Sequence, residues 1–131
     1  MAKQKLKSGY VDGFVLVVPK KNKAIYKKMA AGAGVVWKKC GALDYKECWG
    51  EDLRPSMGGM PVLTFPKLTR LKPTETVVFS YILYKSRKHR DRVNAKVMKD
   101  PMMNDPKYKD KPMPFDTRKM AYGGFEVIVN A

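Results

Sequence analysis

Three carboxylates sit in runs that are otherwise apolar or aromatic: Asp12 in Tyr10-Val-Asp-Gly-Phe-Val-Leu-Val-Val-Pro19, Glu47 in Tyr45-Lys-Glu-Cys-Trp49, and Glu126 in Tyr122-Gly-Gly-Phe-Glu126. Each run reads as a strand, and strand side chains alternate between faces. Turning the small aliphatic set Val11, Val15, Val17, Val127 and Val129 toward the helices leaves Tyr10, Asp12, Phe14, Tyr122 and Glu126 on the other face. The same parity groups Tyr45, Glu47 and Trp49. Asp12, Glu47 and Glu126 are then expected to converge on an aromatic cavity with Trp49, Tyr81 and Tyr122. Desolvation and mutual repulsion raise carboxyl pKa values in such a place, the condition for acid or base work near neutral pH. The chemistry this predicts is proton abstraction by Asp12 or Glu126 from an acidic substrate, with Tyr10, Glu47, Trp49, Tyr81, Tyr122 and Arg118 as binding residues. The structural alternative pairs each acid with Arg118, Lys119 or another cation.

Other chemistries lack their parts. His89 is the single histidine, and no Gly-x-Ser-x-Gly turn exists, so a Ser-His-Asp arrangement is not supported. One histidine and the separated Cys40 and Cys48 do not supply three or four nitrogen and sulfur ligands, so no transition metal is expected. Gly32-Ala-Gly34 lacks the third glycine and the strand-to-turn setting of a dinucleotide loop, and no cofactor is expected. Both cysteines read as buried, reduced thiols. Met98, Met102, Met103 and Met113 read as adaptable filler.

The elements that must position the acids are legible from period and punctuation. A strand over about 10–18 ends at Pro19, which has no amide hydrogen to extend a ladder. A helix follows with Ile25, Met29, Ala33, Val36 and Cys40 as its apolar stripe, and Gly41 stops it. Ala30-Ala-Gly-Ala-Gly34 makes that helix thin enough to approach a sheet closely. A second strand spans about 43–50. The proline-rich excursion 53–73 then folds back, with a helical turn after Pro66. A third strand, about 76–84, is apolar on both faces and therefore central. Ser86 caps a second long helix whose inner stripe is His89, Val93 and Val97. The last strand, Met120 to Val129, is apolar on both faces and is expected to be covered on both. The order β-α-β-β-α-β predicts an α+β fold, an antiparallel sheet ordered 4-1-3-2 with both helices on one face, in one domain over 9–131 behind a basic tail, 1–8.

Four segments in this order, Tyr10 to Pro19, Gly41-Ala-Leu with Glu47-Cys-Trp49, Glu75-Thr-Val-Val-Phe-Ser80, and Met113 to Glu126, resemble the bacterial YbaA-like family of small uncharacterised proteins. The resemblance spans about residues 9–129. It implies a ferredoxin-like subunit that dimerises as an α+β barrel, with a small organic molecule bound or converted in the cavity between subunits as the fold-level expectation. It implies no particular reaction. The chain departs from the family pattern at His89, where an apolar residue is usual, and at Tyr81, where tryptophan is common.

Composition sets the remaining bounds. With 131 residues and 44% hydrophobic content, the chain can bury a core, and its longest apolar run, Phe14 to Val18, is far short of a bilayer span. A cytoplasmic protein without membrane partners is expected. The net charge of +15 gives a field that attracts any anion. Sequence-tolerant nucleic-acid binding through the helical lysines is therefore the alternative function, although strand three lacks the basic residue and glycines of an RNA-recognition platform. A homodimer is expected because two helices on one side leave Phe79 and other aromatics without cover.

Overall fold

The computed structural model describes residues 9–105 and 112–131. The expected basic tail, 1–8, lies outside them. Four strands, β1 (Tyr10–Pro19), β2 (Asp44–Trp49), β3 (Glu75–Tyr84) and β4 (Ala121–Glu126), form one antiparallel sheet in the order 4-1-3-2. Three α-helices accompany them: α1 (Lys23–Lys39), the short α2 (Phe65–Thr69) inside the excursion, and α3 (Arg87–Met98). The α+β class and the strand order follow the sequence reading.

Local chemistry fixes the ends of these elements. The last turn of α1 closes as a Schellman motif: Gly41, at φ 119°, donates its N–H to Lys38 O, and Ala42 donates to Trp37 O. Thr64 caps α2 by accepting from Lys67 N–H, and Ser86 caps α3 by accepting from His89 N–H at 3.1 Å. At the start of α1, Asn22 donates its side-chain amide to Pro114 O at 2.9 Å, tying the helix to the segment that leads into β4.

The core lies between the sheet and α1 and α3. One cluster joins Val36 and Cys40 of α1 to Ile82 and Tyr84 of β3 and Val93 and Val97 of α3. The other joins Leu16 and Val18 of β1 to Tyr26 and Ala30 of α1 and Val78 of β3. The face assignment expected from the small aliphatics is therefore reversed. Tyr10, Asp12, Phe14, Leu16 and Val18 face the helices, while Val11 and Val15 lie half-buried on the open face. Apolar residues fill both parities of β1, so size alone did not distinguish them.

The stripe of α1 holds in its second half, where Val36 and Cys40 point inward as expected, but is shifted by one residue in its first half: Tyr26 and Ala30 are buried, whereas Ile25 is 62% exposed and Met29 also faces out. A run of alanines and glycines gives little phase information, and tyrosine outweighs isoleucine because its hydroxyl finds a buried partner. On the open face Phe79 is 47% and Phe125 60% exposed, and β4 is an edge strand, not one covered on both sides in the subunit. Cys48 is exposed there beside Phe79, against the expectation of a buried thiol.

Candidate functional site

The carboxylates expected to converge are distributed over three places. Asp12, Tyr10 and Tyr122 share one, Glu47 and Trp49 a second, and Glu126, exposed at the end of β4, is a third, while Tyr81 lies on the open face and Arg118 stands apart, bound through Nε and Nη2 to Asp116.

The second of these is a concave site. Strand alternation turns Tyr45, Glu47 and Trp49 toward α1, opposite Ile82, Ser80 and Val78 of β3. Helix periodicity brings Tyr26, Ala30 and Gly34 of α1, at spacings of four, against them. Gly34 is required here, because a Cβ would lie 3.0 Å from Cδ1 of Tyr45, so the thin segment of α1 makes room for that ring. Glu47 Oε1 accepts from the Tyr26 hydroxyl at 2.6 Å and Oε2 accepts from the Tyr45 hydroxyl at 2.7 Å. Burial, then the hydrogen bond to Glu47, pushes both phenols far above their ordinary pKa of 10.0, so they stay protonated donors. The groups line a cleft-like cavity of about 400 Å³ that is open to solvent on one side. Lys23 and Lys27 line it from the first turns of α1, with Lys23 Nζ 5.3 Å from the centre of the Trp49 ring. A carboxylate held by two phenols, an indole wall and two ammonium groups give this cavity convergent polar groups, the arrangement from which ligand sites are built.

The first place is a closed network. Asp12, 1% exposed, receives Arg90 Nη1 at 2.8 Å on one oxygen and the Tyr84 hydroxyl at 3.2 Å on the other. Arg90 also donates to the Tyr122 hydroxyl at 3.1 Å and lies over the Tyr10 ring. Tyr122 stacks on Phe14, with ring centres 4.8 Å apart, and burial followed by the Asp12 charge raises its pKa. Asp12 is thus partnered by an arginine of α3, not by Arg118 or Lys119. The sequence reading missed Arg90 because it stands in Arg87-Lys-His-Arg-Asp-Arg92, where every position reads as solvated charge. The available signal was the helical spacing of Arg90 to Val93 and Val97.

Glu126 is exposed and stands opposite Tyr10, two residues out of register with Asp12, which faces Gly124. As the cross-strand partner of Tyr10 it shares the face of Asp12, as expected, while Val11, Phe79, Tyr81 and Phe125 line a shallow apolar groove on the open face. Tyr81 donates its hydroxyl to Asp44 at 3.4 Å. His89 packs edge-on against Tyr84, and its Nδ1 accepts from Lys85 N–H at 2.9 Å, a packing role. No helix among the described residues is long and apolar enough to cross a membrane.

Residues 9–117 match a family described as protein of unknown function, DUF1428. The uncharacterized protein YbaA of Escherichia coli strain K12 is 43% identical over 121 residues, which cover 92% of this chain and 97% of that protein, and YbaA of Shigella flexneri matches to the same extent. The matched span takes in Glu47, Tyr26 and Tyr45 as well as Asp12 and Arg90. With a family match over most of its length and a relative nearly as long at that identity, the chain belongs to the DUF1428 family, to which YbaA-like motifs had pointed.

Proposed function

We propose that this protein is a homodimeric, cytoplasmic small-molecule-binding protein whose ligand site is the cavity between α1 and β2. The single observation that carries the reading is Glu47, which receives both the Tyr26 and the Tyr45 hydroxyl at the wall of a cavity of about 400 Å³. A carboxylate needed only for packing is a poor core residue, whereas a preorganised acceptor in an aromatic pocket fixes the orientation of a ligand. Relative to the expectation of a site between subunits, the site moves into each subunit, because Asp12 is consumed by Arg90 and Glu126 is exposed at the end of β4, outside that network.

The subunit, ferredoxin-like in its element order, pairs through the open sheet face into an α+β barrel. Phe79 of β3 and Phe125 of the edge strand β4, both exposed on that face, support that pairing. Nucleic-acid binding through the basic surface rests on the net charge of +15 alone.

The experiment is a ligand-fragment titration of the isotope-labelled protein, read at the Trp49 indole N–H and the Gly34 amide. Fragments that move these two signals and lose affinity in Glu47→Gln support the reading. It is overturned if no fragment moves them while an RNA oligonucleotide binds tightly, with affinity falling as salt rises toward ~200 mM.

A further inference from the structure

The cavity between α1 and β2 is polar at both ends, and the ends differ. At one end, the Tyr26 and Tyr45 hydroxyl protons are spent on Glu47. What this end still presents is lone pairs, on the two carboxylate oxygens and the two phenol oxygens, since an ionised carboxylate accepts up to about four hydrogen bonds. A neutral or anionic acceptor has no partner there. A ligand group in this position must bring a hydrogen-bond donor.

At the other end, Lys23 stands over Trp49, while Lys27, one turn further along the same helix and next to Tyr26, adds its charge from the side. An ammonium group is donor only and positively charged, so this end calls for an anion. The net charge of +15 adds to the same preference as the ligand approaches. The rest of the lining is apolar: Val78 stands opposite Trp49, and Ala30 and Ala31 follow Tyr26 along α1. Glu47 and Trp49 are two residues apart on one face of β2, which sets the ends about 7 Å apart along the strand. A single aromatic ring with polar groups at opposite positions spans such a length, and its flat faces suit an indole and a helix made thin by alanine and glycine.

We infer that the cavity selects aromatic carboxylic acids that carry a hydroxyl or amino donor across the ring from the acid, with the donor on Glu47 and the carboxylate at Lys23. The inference rests on the proposed ligand site and adds to it the polarity of the occupant. It also accounts for an acid and a base lining one cavity without being paired to each other: Glu47 is bonded to tyrosines, and Lys23 lies over an indole.

The test uses four probes on the full-length protein, 4-hydroxybenzoate, 4-methoxybenzoate, benzoate and phenol, titrated by calorimetry and by the Trp49 and Gly34 signals. 4-Hydroxybenzoate is expected to bind at least ~10-fold more tightly than either acid without a donor, and more tightly than phenol. Glu47→Gln should erase the advantage over 4-methoxybenzoate, and Lys23→Met should erase the advantage over phenol. Lys23 is exposed, so that second variant folds whatever Glu47 contributes to stability. If all four probes move Trp49 and Gly34 with equal affinity, the inference about polarity is overturned and the ligand site stands. If none does, while unrelated fragments do, the ligand class is wrong. If nothing at all moves these signals, both readings fall together.

Discussion

Arg90 Nη1 lies 2.8 Å from Asp12 Oδ1, with the two side chains 13% and 2% exposed, and this one contact ties α3 to the middle of the sheet. Removing one partner strands the other charge away from water, which costs more than the pair contributes against an apolar replacement. Arg90→Met should therefore lower stability by about 3 kcal/mol, whereas Asp12→Leu combined with Arg90→Met should recover a substantial part of that loss. Urea denaturation of the two variants checks it. Equal losses in the single and double variants would mean that the arginine stem, not the charge, holds α3 in place.

Gly124 faces the ring of Tyr10 across the β1–β4 pair, and a Cβ there would come within 2.8 Å of Tyr10 Cε2. That ring is also fixed from above by Arg90. Gly124→Ala is expected to cost about 1–3 kcal/mol as an overpacking change. Tyr10→Ser in the same chain should relieve the clash, so the two losses should be less than additive. Additive losses in thermal melts would show that the glycine serves its backbone and not the tyrosine.

The strand order, the caps at Ser86 and Gly41, and the turn after Pro66 were all legible, because each depends on a residue type with one strong local meaning. The faces were not. β1 is apolar at both parities, and the deciding information was non-local: Tyr84 and Arg90, from β3 and α3, are what Asp12 turns toward. The grouping of Tyr45, Glu47 and Trp49 was correct since strict alternation holds over six residues, yet their meeting with Tyr26 depended on the phase of an alanine-rich helix. Tyr81 fell on the opposite face from Trp49 for the same parity reason that unites it with Phe79.

A dimer through the open face places Phe79 and Phe125 at its centre. An obligate association of this kind buries roughly 1,500 Å² or more, and a charge in its middle is not tolerated. Phe125→Asp should convert the protein to a monomer without changing the fold of the subunit, since that side chain contributes nothing to the two core clusters. Sedimentation at micromolar concentration, with circular dichroism as the control, decides it. A wild-type chain that sediments as a monomer would sink the α+β barrel.

Depressed pKa values make stability depend on pH in the same direction in two separate windows, that of His89 and that of carboxylates such as Asp100. Burial, then the charges of Lys85 and Arg92, depress the pKa of His89 below 6.5, against a smaller opposing hydrogen bond to the Gly41 carbonyl. Its Nδ1 is an acceptor for Lys85 N–H, and Tyr84 closes the other side, so protonation in the native state would break a bond and place a cation beside lysine. The native protein thus binds fewer protons than the unfolded chain. Stability is complete above about pH 6.5 and falls as the pH drops toward the depressed native value. The hydrogen bond from Lys39 holds Asp100 below 3.8, so its contribution is present above 3.8 and is lost only as pH falls through that lower value. Urea midpoints followed downward from neutrality should decline in two steps, and His89→Gln, which keeps an acceptor for Lys85 and cannot be protonated, should remove the first step while leaving the second. A first step that survives in His89→Gln would assign it to another group.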